Sequence, residues 1–208
     1  LAATVIADPY TRNRLEDVLP ATTDPAAALG RETGGGYTIS LIGRHELSPT
    51  AQVILAVSQL HRHVDFGTRS GATDVGAITR LQDLIANASS SGPGGFDNAS
   101  EGRTGIRVAL SAVAGAHTLK VGAEFEDNRY ADSGYGSTVT LAQDGTYTWS
   151  QNYGFEWIHN RVPALYAQDT WELSPRFRVS AGLRWEAQYL SADVGPTRRV
   201  PNEFSPRA

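Results

Sequence analysis

The sequence predicts an all-β fold, an incomplete section of an antiparallel, up-and-down transmembrane β-barrel with about six to eight strands of a larger barrel and long external loops. Three observations predict it. The first is the stretch Phe177 to Leu190, in which Phe177, Val179, Ala181, Leu183, Trp185, Ala187 and Tyr189 alternate with Arg178, Ser180, Gly182, Arg184, Glu186 and Gln188. Only an extended backbone turns a two-residue period into one apolar and one polar face. The second is length. Phe177 and Tyr189 stand twelve residues apart, which at ~3.3 Å per residue and a tilt of ~45° is roughly 28 Å along a membrane normal. Ordinary strands have a mode of about 5–6 residues, whereas the apolar band of an outer-membrane barrel is ~25 Å tall with an aromatic girdle at each edge. The third is the asymmetry of the connections: short turns at Ser48-Pro49, Ala114-Gly115 and Ser174-Pro175, long stretches between, as on the two rims of such a barrel.

Composition is compatible and excludes other classes. A net charge of -4 and 40% hydrophobic residues with a mean hydropathy of -0.30 would suit a water-soluble protein, but a barrel averages the same way because half of each strand faces a polar lumen. The apolar runs, such as Val53 to Val57, fall far short of the ~20 residues a spanning helix needs. Without cysteine there is no disulfide frame or thiolate metal site. Basic residues are scattered, so no nucleic-acid partner is expected. The chain starts without Met and stops after Ser205-Pro206-Arg207-Ala208, which reads as a section of a longer protein, residues 1–208 forming one partial barrel domain.

Leu1 to Ile6 reads as the tail of a strand. Residues 8–36 carry Pro9, Pro20, Pro25 and Gly34-Gly35-Gly36 and read as a long loop with a helical turn near Ala26 to Leu29, or equally well on composition as a disordered linker. Residues 37–66 form a first hairpin: Tyr37, Ile39, Leu41, Gly43 and Leu47 alternate with Thr38, Ser40, Arg44 and Glu46, and after Ser48-Pro49 the chain returns as Ala51 to Phe66 with blurred alternation. Residues 67–102 read as the longest loop, with a short helix expected at Ile78 to Ala86 from Ile78, Leu81, Leu84 and Ile85. A second hairpin covers residues 103–130, with Ile106, Val108, Leu110 and Ala112, then Leu119, Val121, Ala123 and Phe125, on the apolar side. Residues 131–160 read as external. Within them Asp144-Gly145 marks a small hairpin, either a loop elaboration or an upward extension of the neighbouring strands. The third hairpin spans residues 162–190. In its first strand Asp169 falls on the apolar side and Tyr166 on the polar side, two breaks in the pattern. A polar loop at residues 191–202 precedes a further strand beginning at Glu203.

Candidate chemistry is sparse. His61 and His63 share one strand face at a spacing that suits a metal ion, but with no third ligand in view they read as a polar strand end. Glu124 and Glu126 share a face; opposite Arg107, Arg178 and Arg184 they read as lumen lining rather than an acid–base pair. Gly92-Pro93-Gly94-Gly95 lacks the Lys and Ser/Thr of a phosphate loop, and no nucleophile elbow occurs. No catalytic residue, cofactor or metal site is therefore assigned, and no enzyme is expected. Trp149, Tyr153, Phe155 and Trp157 are candidate ligand contacts, since exposed rings stack on sugars and siderophores; an upper membrane girdle is the alternative.

Three segments together resemble the barrel of TonB-dependent outer-membrane receptors, in particular the Oar-like branch with a carboxypeptidase-regulatory-like domain. They are His117-Thr-Leu-Lys-Val-Gly-Ala-Glu-Phe-Glu126, then Tyr166-Ala-Gln-Asp-Thr-Trp171 with Leu173-Ser-Pro-Arg-Phe-Arg-Val-Ser-Ala-Gly-Leu-Arg-Trp-Glu186, and Phe204-Ser-Pro-Arg-Ala208. The match is good over residues 103–208, and only the layout fits before that. The resemblance implies a place in the Gram-negative cell outer membrane, with membrane lipid as a partner. It also implies uptake of a bulky nutrient (siderophore, glycan or peptide), driven by a TonB complex through a plug domain outside this chain. The alternative is a barrel without TonB coupling that serves as an adhesin or structural protein.

Overall fold

Strand-forming alternation becomes one continuous, almost wholly antiparallel sheet in the computed structural model, which describes residues 1–14, 29–193 and 195–207. The strands are β1 (Ala2–Ala7), β2 (Tyr10–Arg14), β3 (Gly30–Ser48), β4 (Ala51–Thr68), β5 (Arg80–Asp83), β6 (Ala88–Ser91), β7 (Gly95–Ala114), β8 (His117–Leu141), β9 (Tyr147–Ser174), β10 (Phe177–Ala192) and β11 (Arg198–Arg207); the one described helix, α1, is Val75–Ile78. Neighbours follow the order β1-β3-β4-β7-β8-β9-β10-β11. The fold is thus the expected all-β, up-and-down sheet, open at β1 and β11. Among the described residues no helix is long and apolar enough to cross a membrane.

Register is held without a slip from β4 through β7 and β8 to β9, and shifts at the turn ends of the β3–β4 and β9–β10 pairs and between Glu186 and Gln188 of the β10–β11 pair, so a face assigned at one end of β7, β8 or β9 holds to the other. Cross-strand rows on one side are apolar for several strands in succession. Gly43, Leu55, Val108, Ala123, Leu165, Trp185 and Phe204 make one row. Val53, Leu110, Val121, Ala167, Leu183 and Pro206 make the row beneath it. None of the described residues covers them. Leu165 is 54% and Phe204 63% exposed, and the only buried apolar side chains among the described residues are Ile78, Ala88, Ala109, Ala164 and Ala187. A water-soluble sandwich would pack these rows on a second sheet. In a single sheet an apolar face of this extent is explained by lipid.

Several strands run beyond the limits that alternation marks. β1 and β2 share one register on β3, Ala7 opposite Tyr37 and Tyr10 opposite Gly34, so residues 10–14 and 30–36 belong to strands and not to the loop expected at 8–36. The glycine run is what lets them pair. At Gly35, φ is +127°, and a Cβ there would lie 2.6 Å from the Asp8 carbonyl oxygen, while Asp8 N–H donates to Gly36 O at 3.1 Å. Most of the helical turn expected at Ala26 to Leu29 lies outside the described residues.

Residues 67–102 are likewise more ordered than a loop. The helix falls at Val75–Ile78 instead of 78–86, because the Asp74 carboxylate caps it by accepting from Ala77 N–H at 2.9 Å. Arg80–Asp83 is then captured as a strand, parallel to Thr138–Leu141 of β8, where β7 has not yet begun. Residues 131–141 and 147–160 are also strand: β8 and β9 rise together to a turn at residues 143–145, where Gly145 has φ +82°. Asp144 accepts there from Thr146 N–H (3.0 Å) and Oγ1–H (2.7 Å), and these bonds hold its carboxyl below the usual carboxylate range. The connection after Ala192 is shorter than expected, β11 starting at Arg198 rather than Glu203.

Candidate functional site: a charged inner wall and its upward extension

The face opposite the apolar rows carries the side chains that can meet water. On it Glu124 accepts from Arg184 Nη1 at 2.7 Å and pairs with Arg107 Nε at 3.1 Å, and Arg184 Nε reaches Glu186 at 3.0 Å. The four residues come from β7, β8 and β10; Ala164 of β9, in register with both Glu124 and Glu186, is small enough to let the charges meet across it. Lower down Arg178 pairs with Glu172. Glu124 and Arg184 therefore line a lumen wall. These side chains are about one quarter exposed, so water screens them and the pair contributes modestly. Glu124→Gln is expected to cost about 1–2 kcal/mol, leaving Arg107 and half of Arg184 unpaired. Unfolding of Glu124→Gln, Arg184→Gln and the double variant should show less than additive loss; additive losses would break the proposed coupling.

The two breaks in the alternation each meet a neighbour. Asp169 Oδ2 is 2.6 Å from His117 Nδ1, and the His117 ring stacks on Trp171 with centroids 5.3 Å apart, so the carboxylate on the apolar side is bridged at the rim of the short turns. Tyr166 lies over Gly122, its register partner, where a Cβ would come within 2.5 Å of the ring.

Above the membrane-facing rows, β8 and β9 continue as a wall. β9 has 28 residues, roughly 65 Å of rise at ~3.3 Å per residue and ~45° tilt, more than twice the ~25 Å band. On its inner side Asp97, Asp132, Asn152 and Glu156 border a concavity of about 400 Å³, opened by Gly134, Gly136 and Gly154. The sequence reading did not single out these four. Its usable signal was the facing glycines Gly134 and Gly154. Such a surface accepts hydrogen bonds from hydroxyl or ammonium groups.

Trp149, Tyr153, Phe155 and Trp157 lie on the other side, the face of Leu165 and Trp171. Trp157 stands fourteen residues above Trp171, roughly 33 Å. His61 and His63 are on this face too, their rings 6.3 Å apart, with Tyr37 5.6 Å from His61. Among the described residues no group of three or more His, Asp or Glu converges as a metal site.

Comparison with solved structures finds the same fold at low identity. A ferric preacinetobactin receptor, BauA from Acinetobacter baumannii, is 13% identical with a TM-score of 0.54, covering 98% of this chain and 34% of its own. The outer-membrane transporter YddB from Escherichia coli is 12% identical, TM-score 0.54, covering 99% and 26%. The ferric yersiniabactin uptake receptor FyuA from Yersinia pestis is 12% identical, TM-score 0.52, covering 98% and 31%. The chain thus spans about a third or less of these proteins. No curated protein sequence matches it. A family model described as "TonB dependent receptor-like, beta-barrel" matches residues 6–208, and by that match over nearly its whole length the chain belongs to the TonB-dependent receptor β-barrel family.

Proposed function

We propose that this chain is a wall section of a TonB-dependent transporter in the Gram-negative outer membrane, and that the whole protein takes up a bulky nutrient such as a siderophore, glycan or peptide. One observation carries the reading: a single sheet whose apolar face no described residue covers, backed by a face of paired Arg and Glu. Uptake would be energised through a plug domain engaged by the TonB complex, the Glu124–Arg184 network contributing to the lumen wall around it. The nutrient would first meet the inner side of the extension, at Asp97, Asp132, Asn152 and Glu156. No catalytic step is assigned to the section.

The test is accumulation of labelled ferric siderophore, oligosaccharide and peptide probes by cells producing the full-length protein, with and without TonB. The expected result is uptake of one probe class that collapses when TonB is absent. Equal uptake in both strains would remove energy coupling and leave a barrel that acts as an adhesin or structural protein.

A further inference from the structure

The sheet covers one edge of its tall hairpin and leaves the other bare. On β8 the edge away from β9 is occupied to the top. β7 pairs with it up to Gly136, Ser137 N–H donates to Gly94 O at 2.8 Å, β5 takes over at Thr138–Leu141, and Leu84 N–H donates to Leu141 O at 2.9 Å. The far edge of β9 is occupied only from below. β10 pairs with it as far as Ala192 opposite Ile158, and Asp193 N–H then donates to Trp157 O at 3.2 Å. From Tyr147 to Glu156, β9 pairs with β8 alone among the described residues, and every residue of that stretch is exposed.

Leu141 O and Trp157 O both point away from the β8–β9 seam, and in an antiparallel ladder alternate residues turn their main-chain groups to the same side. The N–H and C=O of Tyr147, Trp149, Gln151, Tyr153 and Phe155 therefore face the open edge. Folded proteins blunt such edges with lysine, proline or a bulge. The stretch Tyr147-Thr-Trp-Ser-Gln-Asn-Tyr-Gly-Phe155 has no charge and no proline, and its register with β8 does not shift. The same residues put their side chains on the outer face, where Tyr147 is 70%, Trp149 60%, Tyr153 73% and Phe155 55% exposed. On the inner face, at the foot of the open edge, Glu156 lies directly opposite Asp132, and like charges so placed repel. Asp132 Oδ2 accepts from Tyr130 OH at 3.1 Å, while its buried Oδ1 has no hydrogen-bond partner among the described residues. A cation beside Glu156 relieves both.

We propose that the edge from Tyr147 to Phe155 takes an extended peptide as an added antiparallel strand, its apolar residues against Trp149, Tyr153 and Phe155 and its alternate, basic residues toward Glu156 and Asp132. Main-chain bonds supply affinity in such strand addition, and alternate side chains supply the selection. Strands lie ~4.8 Å apart, so a lysine beside Glu156 has Asp132 one strand further on. The peptide comes from outside the cell, because the edge begins above Trp157, itself roughly 33 Å above Trp171 and clear of a ~25 Å band. A second copy does not fill it: in one membrane both β9 strands run the same way, so identical edges cannot join in an antiparallel ladder. The proposal rests on the outer-membrane reading for the side that this edge faces.

The test uses the full-length protein in phosphatidylcholine nanodiscs and a peptide of alternating Val and Lys, about nine residues long to match ~30 Å of edge. Binding is read by fluorescence anisotropy and main-chain protection by hydrogen exchange. Saturable binding that slows exchange at Trp149, Gln151 and Tyr153 is expected. In the antiparallel pairing the valine N–H groups face β9, so N-methylating the valines should weaken binding about tenfold or more, and N-methylating the lysines should leave it unchanged. Equal effects of the two overturn strand addition. Gln151→Pro, which removes an edge donor and no β8–β9 bond, should weaken binding about fivefold or more; Glu156→Lys should do so severalfold. Unchanged binding in either variant overturns the site, as does equal binding of a Val and Glu peptide. Edge amides already protected before peptide is added overturn it too, a further segment of the chain or a second copy then holding the edge. Nanodisc insertion and heat-modifiable mobility are read in parallel. A protein that inserts but gains no protection sinks this inference alone; one that does not insert sinks the membrane reading.

Discussion

Replacing Leu183 with Arg is expected to cost about 2–4 kcal/mol of folding free energy in a bilayer, the penalty for a cation near the midplane on the lipid side of a barrel. Leu183 sits midway between Phe177 and Tyr189, in register with Ala167 and Pro206, and no side chain of another layer lies over it. The comparison is Ser180→Arg on the same strand. Ser180 faces the other way, its Oγ 3.0 Å from Thr170 Oγ1, so the change should cost about 1 kcal/mol, the loss of one hydrogen bond beside water. Both are read from denaturant unfolding of the full-length protein in lipid vesicles. Similar penalties for the two would contradict the assignment of faces on which the barrel reading stands.

Leu183 was legible in the sequence because lipid imposes a rule on every second residue of a strand that crosses it. The rule ends where the membrane ends. From Asp127 to Gly136 either face can be polar, so β8 continues while the alternation that announces it is gone; on β9 only Tyr153, Phe155 and Trp157 keep it. Hydrogen bonding between β8 and β9 runs unbroken from His117–Trp171 to Leu141–Tyr147 and needs no such pattern. The glycines there read as loop signals for the same reason. Gly34 to Gly36 are strand residues that make room for Asp8, Pro9 and Arg62, and only the fold supplies those neighbours.

The site was partly legible. Glu124, Arg107 and Arg184 could be grouped from parity alone, because each lies on the polar side of a clear strand. Asp97, Asp132 and Glu156 could not, since they stand above the last apolar row, where parity no longer tells the lumen side from the lipid side. The partner of Asp169 was hidden for a different reason: His117 is distant in sequence and becomes its neighbour only through the β8–β9 register.

Gly122→Val is expected to destabilise the protein by about 1–3 kcal/mol, as overpacking does in a closely fitted site. In a strand a glycine ordinarily weakens the sheet, so substitution by a β-branched residue should help if the position were open. It is not open. A Cβ at Gly122 would lie 2.5 Å from Cζ and OH of Tyr166 and 2.7 Å from the backbone oxygen of Val108. The ring lies across the bare backbone and covers it, as aromatic residues do over glycines in sheets. Two neighbours must therefore give way, a side chain that can rotate and a strand that cannot move without disturbing the β7–β8 ladder. The milder Gly122→Ala and the variant Tyr166→Ala separate them. Combined with Tyr166→Ala, Gly122→Ala should cost less than alone, because the ring clash is gone, but more than nothing, because Val108 O remains. A purely additive cycle in vesicle unfolding would show that the tyrosine is not what the glycine makes room for.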